Sequence, residues 1–231
     1  MPELRRERFD LPDGTDAAVS VWRGDDRGDG LLGELPAAWR DGLPPHPVRR
    51  AETLAARRAL LALRPDAAAE RLRKDAYGKP HLPDGDHLSL THSHGHAAAL
   101  VARRACGVDL QLRVDKITRL RGKFERPDER AFIGAADDEV GALHVLWGAK
   151  ESLYKLWGRR SVDWHADLVV APFAYAPGSG RFRAEIRKGP RAIEAAMRYW
   201  WVGGFCLVVG VDVTGQPPQG TPRFGGSPPT E

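Results

Sequence analysis

Two short stretches of this chain hold residue types and spacings that could do chemistry. In GVDLQL, residues 107 to 112, the two-residue period of a strand puts Asp109 and Gln111 on one face and Val108, Leu110 and Leu112 on the other. An acid beside an amide oxygen is a pair of hard ligands, suited to magnesium once a second carboxylate joins them. WGAKESLYKLWG, residues 147 to 158, offers that carboxylate in Glu151, flanked by Lys150 and followed one turn later by Lys155. A water-facing strand edge accounts for Asp109 equally well, and a local salt bridge at the edge of the core accounts for Lys150 and Glu151.

The element that must carry Glu151 is a helix. Asp137, Asp138 and Glu139 suit its N-terminus and Gly158 its exit, and Val140, Leu143, Leu146, Trp147, Leu153, Tyr154 and Trp157 recur at spacings of three and four. Glu151 projects in line with Trp147 and Tyr154, and Lys150 in line with Leu146, Leu153 and Trp157, so both charges fall on or beside the packed face. An unpaired carboxylate there costs on the order of several kcal/mol and needs a cation, a hydrogen-bond shell or a raised pKa.

Four histidines form a second cluster, His87, His92, His94 and His96 in HLSLTHSHGHAAAL. On an extended strand the last three would share a face as in some zinc hydrolases, and a metal-dependent phosphohydrolase built on them would be lost in His94→Ala and His96→Ala. Gly95 interrupts that strand, and no HExxH or distant histidine pair completes a tetrahedral set. A turn offering imidazole, hydroxyl and backbone N–H groups to a phosphate is the better reading.

A chain of 231 residues, 42% hydrophobic, can bury a sizeable core as one large domain or two of about a hundred residues each. No apolar stretch approaches a membrane span and MPELRRERFDLPDG lacks the apolar core of a secretion signal. Cys106 and Cys206 form neither a metal-ligand spacing nor a disulfide framework, so a reducing cytoplasm is the expected location. The net charge of +4 and pI near 9.3 suit an anionic partner. Much of the excess lies at 49 to 74, in Arg49, Arg50, Arg57, Arg58, Arg64, Arg71, Arg73 and Lys74, a basic segment able to dock an anion.

Along the chain, 23–30 and 41–47 read as loops, and VRRAETLAARRALLALRP as a helix through Val48, Leu54, Leu60 and Leu61 that Pro65 ends. DAYGKPHLPDGD is a turn-rich connection, and 87–92, 97–102 and 107–112 are short strands. A second irregular stretch precedes the Glu151 helix, and beyond it RFRAEI and RYWWVGGFCLVVGVDV are strands, the latter a hairpin turning near Gly203 and Gly204. From Gly215 the Pro- and Gly-rich tail reads as disordered. Each half runs helix, then strands, which allows a duplicated α+β architecture. Its divisions fall at 1–105, 106–214 and 215–231.

YGKP at 77–80, LTHSHG at 90–95, GVDLQ at 107–111 and WGAKES at 147–152, in this order and spacing, resemble the 4′-phosphopantetheinyl transferase superfamily, in its larger, pseudo-dimeric single-chain bacterial branch. The last two motifs are the specific ones, and LYKLWGRRSVDW after them is similar to the continuation in bacterial members. The resemblance implies an α+β fold of two similar halves, the first with the nucleotide contacts and the second with the metal site. It implies magnesium-dependent transfer of the phosphopantetheine arm of coenzyme A to a serine of an apo acyl or peptidyl carrier protein, releasing adenosine 3′,5′-bisphosphate. Asp109 and Glu151 would hold the metal. Lys79, Thr91 and His92 would meet coenzyme A phosphates, Lys150 and Lys155 would border the pyrophosphate, and Arg50 and Arg57 would approach the 3′-phosphate.

Two departures stand out: Gln111 occupies the place of a third acid, and Thr91 replaces a serine while keeping the hydroxyl. Gln111 is expected to ligate magnesium or orient its water, and the role of base then falls on Glu151. The partners implied are coenzyme A and a carrier of fatty-acid, polyketide or nonribosomal peptide biosynthesis, with neither membrane nor nucleic acid, and a monomer with an internal pseudo-twofold suffices. Segment 113–136 is the candidate carrier contact. The competing reading is a catalytically impaired basic binding module for an acidic protein or nucleic acid, which would bind in a salt-dependent but magnesium-independent way.

Overall fold

The computed structural model describes residues 3–10, 16–23, 35–40, 42–66, 72–188 and 192–214. The expected disordered tail and nearly all of the 23–30 loop lie outside the described residues. Strands β1 (Glu3–Asp10), β2 (Asp16–Arg23), β3 (Arg73–Lys74), β4 (Pro80–His81), β5 (His87–Ser93) and β6 (His96–Ala102) form one antiparallel sheet in the order β1-β2-β6-β5-β4-β3. Strands β7 (Cys106–Leu112), β8 (Leu168–Val170), β9 (Ser179–Ile186), β10 (Ile193–Val202) and β11 (Phe205–Asp212) form the second, ordered β7-β11-β10-β9-β8. Each sheet has one long helix, α1 (Pro47–Leu63) on the first and α4 (Glu139–Trp157) on the second. The short helix α3 (Arg130–Gly134) lies in the stretch at 126–138 that was expected to be irregular, and the short helix α2 (Ile117–Leu120) precedes it. The architecture is α+β with two curled antiparallel sheets, as the resemblance implies. Among the described residues no helix is long and apolar enough to cross a membrane.

Alternation along the strands explains the layering. Ala98, Leu100 and Ala102 of β6 join Val19, Val21, Val108, Leu110, Leu207 and Val209 in a core between the sheets, while Ala97, Ala99 and Val101 face Leu54, Ala55 and Leu60 of α1. On the far side of the second sheet Leu143, Leu146 and Leu153 of α4 pack against Val170, Ile186, Met197 and Val208. The result is a helix–sheet–sheet–helix stack.

The ends of α4 follow their caps. The Asp138 side chain accepts from the Gly141 N–H at 2.9 Å, and Gly158 closes the helix in the left-handed region at φ 68°. The hairpin turns at Gly203 and Gly204 as the sequence indicates, both at positive φ. The opening strands β1 and β2 were not read from the sequence. In β1 the alternating inward positions are occupied largely by Glu and Arg, so no apolar period marks the strand.

Candidate active site

Two glycines bring α4 close to β7. A side chain at Gly107 would collide with the Ser152 carbonyl, and one at Gly148 would lie 2.6 Å from Val208 and 3.0 Å from the Gln111 amide nitrogen. Glycine in the middle of a helix costs about 0.5–1 kcal/mol relative to alanine. Here it allows the Asp109–Gln111 face of β7 to lie against the Glu151 side of α4.

The juxtaposition places Lys155 Nζ 2.8 Å from Asp109 Oδ1, 2.9 Å from the Val108 carbonyl and 3.1 Å from the Thr91 hydroxyl. Asp109 is 7% exposed, which removes the water-facing-edge explanation. Thr91 arrives because β5 abuts β7, where Ser89 Oγ also accepts from the Val108 N–H at 3.0 Å. The half-buried Glu151 carboxylate makes no hydrogen bond or ion pair with any described residue. Burial first, and then the Asp109 charge, push it up to about 7, against the pull of Lys155. Two crowded carboxylates sharing one lysine leave an excess of negative charge, a donor set that fits a divalent cation.

Beside this pair a cleft of about 370 Å³ is lined by Tyr77, Lys79, Tyr154, Lys155, Arg159 and Arg160, with the backbone of Gly78 and Gly158. Its lysines and arginines suit a polyanion. Asp75 shapes the turn, its Oδ1 accepting from the N–H groups of Tyr77 and Lys79 at 2.9 and 3.0 Å. The roles of Tyr77, Tyr154, Arg159 and Arg160 were missed in the sequence, although two arginines directly after the Gly158 cap are a readable signal.

Several expected site residues are placed elsewhere or occupied. Lys150 does not border the cleft: it is fully buried, and its ammonium meets Glu129 at 2.8 Å, the Phe124 carbonyl at 2.6 Å and the Trp164 carbonyl at 3.2 Å. Burial lowers its pKa and Glu129 opposes the shift. Lys150 therefore belongs to a core ion pair and not to a phosphate site, and its partner is Glu129 rather than the adjacent Glu151.

Gln111 does not offer its oxygen beside Asp109 as a metal ligand would. Its Nε2 donates to the His144 carbonyl at 3.0 Å and approaches Asp109 Oδ2 at 3.4 Å, while its Oε1 lies 2.9 Å from His144 Nδ1. Lys79 lines the cleft, but its Nζ donates to the carbonyls of Lys155 and Leu156 at 2.8 and 2.9 Å, capping the C-terminus of α4. Burial lowers its pKa as well.

His92 pairs with Glu52 of α1 at 3.0 Å, Arg57 donates to the Trp39 carbonyl, and Arg50 is half-buried on α1. None of these three lines the cleft. Part of the basic segment is engaged within the protein: Arg58 lies over the Trp22 ring and Arg64 binds Asp66, Asp84 and Asp86. The histidines do not converge either. His94 turns at φ 47° and His96 packs at a tilt against Phe205, and among the described residues no group of three or more His, Cys, Asp or Glu could hold a metal ion.

Paired carboxylates on a strand and a helix, a lysine bound to one of them and a basic cleft alongside are a charge arrangement suited to a phosphate-bearing ligand on this α+β fold. Residues 105–196 match the family model of the 4′-phosphopantetheinyl transferase superfamily. The chain is 28% identical over 123 residues to 4′-phosphopantetheinyl transferase Npt of Nocardia iowensis, covering 49% of this chain and 55% of that one. It is 29% identical over 156 residues to 4′-phosphopantetheinyl transferase Svp of Streptomyces mobaraensis, covering 62% of each. The matches thus span less than two thirds of either relative. The stretch matched by the family model, residues 105–196, is the one that carries Asp109, Glu151 and Lys155.

Proposed function

We propose that this protein transfers the 4′-phosphopantetheine moiety of coenzyme A to a serine of an apo carrier protein and releases adenosine 3′,5′-bisphosphate. The observation that carries the reading is the half-buried, unpartnered Glu151 carboxylate beside the Asp109–Lys155 pair at a basic cleft. The cleft receives the nucleotide and its phosphates. Lys155, Arg159 and Arg160 supply cations there, and Lys79 adds positive charge while holding the helix end.

In the reaction the carrier serine oxygen bonds to the phosphorus that bears pantetheine, and the bond from that phosphorus to the bridging pyrophosphate oxygen breaks. The leaving phosphate takes the electron pair, and Lys155 neutralises charge there. The serine proton passes to Glu151, whose half-buried carboxylate has no other described partner. Asp109 and Glu151 would hold magnesium, which when bound supplies charge neutralisation at the phosphoryl oxygens. Thr91 steadies Lys155 and Asp109 by its hydroxyl.

The carrier partner would bring an acidic helix. Within 113–136, Arg113, Arg121 and Arg126 are paired internally, while Lys116, Arg119 and Lys123 point their charge outward next to the exposed Val114. This edge is the docking surface in our reading, with encounter weakened by salt. The test is the intact mass of apo carriers from fatty-acid, polyketide and peptide-synthetase systems after incubation with the protein, coenzyme A and magnesium. A gain of one phosphopantetheine that EDTA abolishes is expected. No gain on any carrier would overturn the proposal in favour of a binding module.

A further inference from the structure

We infer that His144 is a positioning residue for Asp109, acting through the Gln111 amide. The inference rests on the reading of Asp109 and Glu151 as a metal-binding pair. His144 is 1% exposed on α4, one turn before Gly148, and burial lowers its pKa. Its Nε2 lies 3.0 Å from the Val114 N–H, a contact that needs a lone pair on that nitrogen. The Val114 carbonyl, 3.1 Å away, would reward a proton there instead.

Gln111 decides between the two. Its amide is clamped by the carbonyl of His144 itself, which can only accept, so Nε2 must point there and Oε1 must face the imidazole. An amide oxygen cannot donate; the proton therefore sits on His144 Nδ1, and Nε2 accepts from Val114. With Oε1 held in this way, the remaining amide hydrogen is directed at Asp109 Oδ2, 3.4 Å away, while Lys155 holds Oδ1. His144 thus fixes the orientation of an amide that in turn fixes a carboxylate. Gln111, expected as a third ligand, is a donor that orients the first one, much as outer partners orient ligating groups in metal sites.

The test has two parts, both on the full chain. Long-range ¹H–¹⁵N spectra of the metal-free wild type should show the His144 Nδ1 protonated and Nε2 unprotonated; the reverse tautomer would overturn the inference. Mn²⁺ binding, followed by the loss of free-ion EPR signal, is then compared in His144→Asn, whose amide can donate near the Nδ1 position, and His144→Gln, which can accept near the Nε2 position. Melting curves first establish that both variants fold. A weakening of Mn²⁺ affinity by about 10- to 100-fold is expected in His144→Gln, with His144→Asn recovering most of it. Recovery in His144→Gln alone, or equal behaviour of the two, would reduce His144 to a tether for Val114 and overturn the inference. Should wild type bind no Mn²⁺ while the tautomer is as stated, the metal reading fails and the hydrogen-bond assignment stands. Carrier modification by wild type reports separately on the transferase proposal.

Discussion

Lys150 and Lys155 lie five residues apart on α4, yet they serve opposite purposes. Lys150 points into the core, where Glu129 and two carbonyls close around it, and Glu129 in turn accepts the N–H groups of Arg126 and Val170 at 2.9 and 3.0 Å. That pair ties the segment between β7 and α4 to the helix and has no open side. Lys155 also has a carboxylate partner at 2.8 Å, but its site keeps an unpartnered Glu151 and opens into the basic cleft. A closed ion pair contributes to structure, whereas an incomplete charge balance is a place for a ligand. The helical frame alone does not distinguish them; the environment on each side of α4 does.

Lys150→Met should produce the largest change in stability. It leaves Glu129 buried without its cation, a loss of about 3–5 kcal/mol, read as a fall in melting temperature on the order of 10 °C. Adding Glu129→Gln to that variant should recover part of the loss, since the uncompensated charge goes while one oxygen still accepts from backbone.

Lys155→Met should instead lower turnover on carrier protein by about 10²- to 10³-fold. Its melting temperature should fall less than that of Lys150→Met, because Asp109 keeps Thr91 and Gln111 as neighbours.

Glu151→Gln tests the open side from the other direction. Between the ordinary value of 4.5 and the folded value of about 7, the native protein holds a proton on Glu151 that the unfolded chain has released. Stability of the metal-free wild type therefore falls from this group as pH rises through that window, and the deficit is complete above it. The variant should lose turnover while gaining on the order of 1–2 kcal/mol near pH 8 and little near pH 4, measured by denaturant titration in EDTA. A loss of stability at pH 8 would contradict the unpartnered carboxylate.

Gln111→Glu should give the smallest effect. It places a carboxylate against the His144 carbonyl and Asp109, so it should destabilise the metal-free protein by about 1–2 kcal/mol without raising turnover.

Much of the frame was legible in the sequence. Asp138 and Gly158 mark the ends of α4, short strand-like runs at 87–92, 97–102 and 107–112 mark β5 to β7, and two glycines mark the final hairpin. Helices α2 and α3 were not legible, being a single turn each and too short for a period to emerge. Strand β1 was hidden because the stems of Arg and Glu supply its inward face.

In the site, the grouping of Asp109, Glu151 and Lys155 was legible through the resemblance carried by GVDLQ and WGAKES, and the structure shows Gly107 and Gly148 permitting the approach. The separation of Lys150 from them does not, because its partner Glu129 lies in a segment without periodicity. The donor role of Gln111 was equally out of reach: it depends on which way one amide is turned by a histidine 33 residues away. Lys79 was legible as a cation near the cleft and illegible as a helix cap.

The most direct measurement is the rate of phosphopantetheine transfer to an apo carrier and the melting temperature, determined side by side for wild type, Lys150→Met and Lys155→Met. The account predicts that Lys155→Met stays folded and loses transfer, while Lys150→Met loses stability and retains the transfer rate per folded molecule to within a few-fold. A stable Lys150→Met protein that no longer transfers, or an active Lys155→Met protein, would contradict it.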